Sequence, residues 1–375
     1  MSDAAVKARA VAYYLPQFHP IPENDEWWGP GFTEWTNVAK ARPLFRGHQQ
    51  PHLPADLGFY DLRLPESREA QAELAAAYGI EAFCYWHYWF GEGVRLLERP
   101  FREVLENGSP SLSFCLGWAN TTWSGIWHGA AGRILREQRY LGAEDDQRHF
   151  DEILPAFRDP RYLRVDGKPV FYVYKPGELP DAAGFVDRWQ GMARKAGLDG
   201  LYLVAEMTDS FGRWMPYTRA IEDGFDAGVY MRHPAETGGA SGFANRVRRK
   251  LGGLEVYPYS TDPGLWDNVR SHPKWMPAVH PNWDSTPRSG TRGLVLTGST
   301  PEKFETNVRT AVATLEGRPE QEKLLWVKSW NEWAEGNYLE PDLEFGRGWL
   351  EALQRGLRND ISSAQGERAY EGARE

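Results

Sequence analysis

A chain of 375 residues has room for one large domain or two ordinary ones, and its formal net charge of −9 gives no sign of a surface for nucleic acid or anionic membrane. Two cysteines exclude a disulfide framework, and the longest apolar runs fall well short of the roughly 18 residues of a membrane span. Seventeen Trp, 17 Tyr and 17 Phe in a chain of mean hydropathy −0.59 are too many rings to be core alone. Amphipathic rings suit a sugar, which offers a C–H face to stack on and hydroxyls to bond.

The first apolar run, RAVAYYLPQ (9–17), comes almost at once and no signal-peptide core precedes it, so a cytoplasmic location is expected. This stretch and the residues after it supply Tyr14, Gln17 and His19, groups able to meet sugar hydroxyls. Residues 18–60 are rich in Pro, Gly and aromatics and are expected to lack regular structure, a pattern of functional loops. Within them FTEWTNV (32–38) sets an acid, a stacking ring and an amide together as Glu34, Trp35 and Asn37. PESREAQAELAAAYG (65–79) opens with Pro and Glu and stops at Gly79, the chemistry of a helix. The second strand, IEAFCYWHYW (80–89), alternates Tyr85, His87 and Trp89 with Trp86 and Tyr88. One set must face inward and the other outward, and Tyr85, His87 and Trp89 stand as the ligand-facing candidates.

LSFCLGW (112–118) is the third strand, and its end and following loop supply Trp118, Asn120 and Trp123. A helix over 146–159 leads to strand PVFYVYK (169–175), and another over 181–197 leads to LYLVAEM (201–207), which carries Glu206 near its end. DAGVYMR (226–232) and WMPAVH (275–280) come next, with His280, Trp283, Asp284 and Arg288 at or after the latter's end. A helix over 300–317, opened by Thr300 and stopped by Gly317, precedes the eighth strand, LLWVKSW (324–330). These strands are apolar on both parities, as in a buried parallel sheet. Eight of them with helices between define the expected fold, a single (β/α)8 barrel of the α/β class with long βα loops. A doubly wound open sheet is the alternative. The domain is expected to span 1–358, followed by a polar, frayed tail over 359–375.

The densest chemistry lies in SWNEWAEGNYLEPD (329–342), where Glu332 and Glu335 stand three apart. On an extended strand they would point to opposite faces; on a turn they share one side. The strand is therefore expected to end near Glu332 and turn before Gly336, bringing both carboxylates to the barrel mouth, the face that carries catalysis. Two carboxylates flanking a glycosidic bond, one protonated and one ionised, are the working parts of most glycosidases. Trp330 and Asn331 join the substrate contacts, and Glu340 and Asp342 fall to structural or outer roles. The chain carries no Walker loop, dinucleotide fingerprint, metal-ligand spacing or nucleophile elbow. No cofactor or metal is expected, and the expected partner is a carbohydrate substrate. Nothing in the sequence speaks to oligomeric state.

YYLPQFHPIPENDEWWGPGFTEWTNV, FCYWHYWF and SWNEWAEGNYLEPD together resemble the WbsX-type proteins, a family similar to glycoside hydrolase family 99. The resemblance runs from about residue 10 to 357. WbsX-type proteins carry the label of glycosyltransferases because they occur with bacterial surface-polysaccharide (O-antigen-type) genes. Similarity to family 99 implies instead a (β/α)8 barrel and retaining hydrolysis of an α-linked, mannose-type bond. Trp330, Asn331, Glu332, Trp333, Ala334, Glu335 and Gly336 match that family's two-glutamate segment. The resemblance implies that Glu332 acts as base on the sugar's 2-hydroxyl, giving an epoxide-like 1,2-anhydro sugar. Glu335 then serves as acid toward the leaving oxygen and afterwards as base toward water. The N-terminal block belongs to the WbsX type and not to family 99, which implies reshaped substrate subsites.

Overall fold

The computed structural model describes residues 6–125, 133–208, 217–235 and 239–358. Its frame is eight strands: β1 (Arg9–Tyr14), β2 (Ile80–Trp89), β3 (Ser113–Trp118), β4 (Lys168–Val173), β5 (Tyr202–Thr208), β6 (Ala227–Met231), β7 (Trp275–Val279) and β8 (Leu324–Val327). Each pairs in parallel with the next. β8 returns to β1, with Val11 opposite Trp326. The sheet is therefore closed and has no edge, which excludes the open doubly wound alternative. Near-continuous burial along the strands is the consequence of helices outside and side chains within.

The interior is filled largely by rings. Tyr13 of β1 stacks on Trp86 of β2 at 5.0 Å and meets Tyr172 of β4 and Trp326 of β8, each at 5.3 Å. Such offset and edge contacts add to the area that aromatic packing buries. Gly117 makes the space: a Cβ there would stand 3.0 Å from Cys84 Sγ and 3.3 Å from the Trp86 ring. Cys84 and Cys115 are buried free thiols opposite each other in adjacent strands.

The helices, in chain order, are α1 (Pro22–Trp28), α2 (Glu34–Lys40), α3 (Pro65–Ala77), α4 (Arg99–Asn107), α5 (Ala143–Arg158), α6 (Ala182–Lys195), α7 (Gly239–Lys250), α8 (Asp267–Ser271), α9 (Thr286–Ser289), α10 (Pro301–Ala313) and α11 (Gly348–Arg358). Residues 18–60, expected to be irregular, hold α1 and α2. Seven-residue helices are too short to impress a period on the sequence, and tertiary contact stabilises them instead. The cap at Thr300 forms as expected, its hydroxyl accepting from Lys303 N. Beside the barrel, Glu255–Pro258 pairs with Leu294–Thr297 in a small parallel sheet with its own apolar cluster of Ala235, Tyr257, Tyr259, Leu294 and Leu296. The expected tail over 359–375 and part of the loop after β3 lie outside the described residues.

Candidate active site

The site is built on the segment that leaves β8. That strand stops at Val327, five residues earlier than expected, and Asn331–Glu332 is a separate short strand antiparallel to Asn337–Tyr338. Between them Trp333–Glu335 makes one 3-10 turn, closed by Gly336 at φ 65°. The strand end is thus corrected, while the turn before Gly336 that puts both glutamates at the mouth is present. Ser329 Oγ fixes the loop by donating to Asn337 O and accepting from Glu332 N. Glycine is required at 336 twice over: φ lies in the left-handed region, and a Cβ would stand 2.6 Å from Asp284 N.

The two carboxylates meet different surroundings. Glu332 is buried, and its Oε1 accepts from Trp86 Nε1 and from Lys328 Nζ, both at 2.9 Å. Burial pushes its pKa up, but Lys328 and Arg288, with the hydrogen bonds from Lys328 and Trp86, outweigh burial and hold it below the usual carboxylate value. Glu335 is paired with Arg288, yet burial, reinforced by Glu332 and Glu34, prevails and raises its pKa. Arg288 also holds Glu34, the first residue of α2, so one guanidinium ties the β1 loop to the turn that carries Glu335. Two glutamates on one turn are thereby pushed apart, one toward the ionised and one toward the protonated form.

The walls come from several strand ends. His280 is buried, with both ring nitrogens unpartnered, and burial brings its pKa down to about 3. Trp283 stands edge-on to His233 at 4.1 Å and to His280 at 5.7 Å, and Lys328 Nζ lies 5.9 Å from its ring centre. Trp123 packs edge-on against Trp27, Tyr88 and Phe90 at the rim. Glu206 lies deeper, accepting from the Tyr172 hydroxyl.

Other sequence candidates sit elsewhere. Tyr85, His87 and Trp89 face outward, a correction to the expected face of β2: His87 Nε2 lies 2.8 Å from His149 Nε2 on α5, and Trp89 Nε1 donates to Asp145. Trp86 stacks on Tyr13 inside, so the other parity points in. Tyr14 donates to Gln71 of α3, and Trp118 donates to the Trp89 carbonyl, both outside the barrel. Asn120 ties the β3 loop to Lys175, through N–H and C=O alike. Asn331 does the same to Leu15. Asp284 accepts from Gln50 Nε2 and Thr286 and lies 2.7 Å from His48 Nε2. Trp35 donates to Tyr60 O, and Trp330 is buried against Phe83. Gln17 is half-buried, and its carbonyl receives Glu34 N. His19 and Asn37 are buried with unpartnered side-chain polar atoms.

Sequence reasoning missed Lys328 and Trp86, and named Arg288 without a role. Lys328 stands four residues before Glu332, a spacing that could have flagged it. Glu340, assigned to the support of the site, is a buried carboxylate receiving Tyr60 OH, Gln71 Nε2 and Trp333 Nε1. Burial raises its pKa to about 7.

A family model described as Glycosyltransferase WbsX matches residues 10–353. Two proteins named WxcX, from two strains of Xanthomonas campestris pv. campestris, are each 39% identical over 93% of this chain. The chain spans about half the length of these relatives, 50% in each case. Among solved structures, a glycoside hydrolase-like protein aligns with a TM-score of 0.62 at 14% identity, over 95% of this chain and 96% of that one. The GH99 endo-alpha-mannosidase from Bacteroides thetaiotaomicron aligns at 0.58 and 13% identity, over 94% and 96%. At such identities the likeness is one of fold.

Proposed function

The chain belongs to the WbsX glycosyltransferase family, and from the two glutamates at its barrel mouth we propose that it is instead a retaining glycoside hydrolase. Its substrate is an α-linked, mannose-type bond in a bacterial polysaccharide or oligosaccharide. The carrying observation is the opposite pKa shifts of Glu332 and Glu335 on one turn, the arrangement that separates a base from an acid. The substrate class rests on the resemblance of the segment Trp330–Gly336 to the two-glutamate segment of family 99.

Glu332, kept ionised by Lys328, takes the proton of the sugar's 2-hydroxyl. In an α-mannoside that oxygen lies trans to the leaving group, the geometry of backside attack, and it bonds to the anomeric carbon. The glycosidic C–O bond breaks as Glu335 gives its proton to the departing oxygen. Water then opens the three-membered ring while Glu335 takes its proton and Glu332 returns the first to O2. Two inversions at the anomeric carbon amount to retention. Trp283 and Trp123 supply stacking surfaces, and His280, neutral at physiological pH, offers a hydrogen bond to a hydroxyl.

Screening the chain against mannans and bacterial surface polysaccharides, with NMR of the first-formed anomer, tests this reading. Release of a retained reducing end is expected, and Glu332→Gln and Glu335→Gln should each reduce it about 100-fold or more without altering the thermal melt. Full activity in either variant, or turnover only with a nucleotide-sugar donor, as for a transferase of polysaccharide assembly, would overturn the assignment.

A further inference from the structure

Among the described residues, Asn245 ties helix α7 to the side sheet. Asn245 donates to Val256 O and accepts from Val256 N, and Gly242 is buried beside it on the same side of the helix. The opposite side carries Phe243 and Val247, with Leu251 in the turn just beyond, exposed by 67%, 43% and 81%. Their spacing of four residues places them along one stripe. At about 100° per residue, Arg246 and Lys250 flank that stripe on one side and Arg248 on the other, all exposed. Residues 246–250 read RVRRK, and the stretch 239–253 holds no Asp or Glu. This cationic, apolar surface belongs to a chain of net charge −9. It is a local property that the total charge concealed.

The helix also stands near the mouth. The sheet beneath it includes Leu294–Thr297, whose Leu296 N donates to the carbonyl of Trp283, a ring of the site wall.

We propose that α7 seats on an anionic lipid surface, with Phe243, Val247 and Leu251 in the apolar boundary and the flanking arginines and lysine among the headgroups. An apolar stripe alone would not choose its occupant. Cations on both of its flanks, with no acid among them, fit a bilayer interface, apolar below and anionic above. A second copy docked α7 against α7 would oppose those cations to each other. The consequence is a barrel mouth held beside the membrane. This goes beyond the proposed chemistry and stands without it.

The test is co-sedimentation of the whole chain with vesicles of phosphatidylglycerol and phosphatidylcholine, against phosphatidylcholine alone, at low and high salt. Binding is expected to anionic vesicles only and to weaken about tenfold or more at high salt, since headgroup attraction is screened. Phe243→Glu with Val247→Glu, and separately Arg246→Glu with Arg248→Glu, should each reduce binding about tenfold or more. Circular dichroism should show an unchanged melt, because exposed positions bear little on stability. Equal binding to both vesicle types, or charge reversal without effect, would overturn the proposal. So would a dimer in light scattering, lost in the Phe243/Val247 variant and accompanied by no vesicle binding, which would make the stripe a protein interface.

Discussion

Lys328 and Arg288 act on the two glutamates unequally, and that inequality is measurable. Lys328 is the strongest of the groups lowering Glu332 and a lesser influence on Glu335. Replacing it with Met raises both pKa values, Glu332's more. A base must be ionised and an acid protonated, so the acid limb of the pH–rate profile should move to higher pH by more than the alkaline limb. A profile whose acid limb stays in place would remove Lys328 from this role. Glu340 gives a second expectation, in stability rather than rate. Its folded pKa of about 7 exceeds the ordinary 4.5, so the folded state holds the proton more firmly over that window. Stability from this group is full below about pH 4.5 and falls as pH rises toward 7. Glu340→Gln keeps a neutral group there, and the drop in Tm between pH 5 and pH 8 should shrink. At this scale the sequence pointed to the glutamate pair but not to Trp86. Alternation along β2 defines two faces without saying which is inside, and only the register against Tyr13 decides it.

Elements were legible where burial wrote a pattern. β2 occupies the expected span, Ile80 to Trp89, because a strand buried on both faces is an unbroken apolar run. β8 is shorter than its apolar run because Trp330 is buried although it lies beyond the ladder. The helices α1 and α2 were invisible, being shorter than two full helical repeats. The turn over 333–335 was legible because two carboxylates at that spacing gain a common side only on a turn. It depends on Gly336 in turn. Gly336→Ala forces a side chain against Asp284 and into a left-handed conformation, for which about 1–2 kcal/mol is the conformational part alone. Lower denaturant resistance should accompany a fall in activity larger than the lost stability accounts for, since Glu335 is the adjacent residue. Activity unchanged in a folded Gly336→Ala protein would show that the turn can shift without consequence.

Across the molecule, two apolar clusters divide unequally: one fills the barrel and its helix layer, and a small one lies under the side sheet. Opening free energy follows buried contact. Amide hydrogen exchange should therefore be slowest in β1 through β8 and earliest in α7 and the strand 255–258. Exchange from β1 as fast as from α7 would contradict this division. The closed barrel was readable from eight alternating segments, whereas the cationic character of α7 was hidden by summing charge over the whole chain.

The amide of Asn331 binds both backbone groups of Leu15, and Trp330 N donates to Tyr13 O. The seam where the last strand meets the first is thus buckled by the residue immediately before Glu332. The geometry of the proposed site and the closing of the cylinder share one fastening. New chain ends opened in a distant turn would leave that buckle done up, but parting the first strand from the last would undo the site before it emptied the core. Enzymatic activity, on this account, reports whether the cylinder is shut.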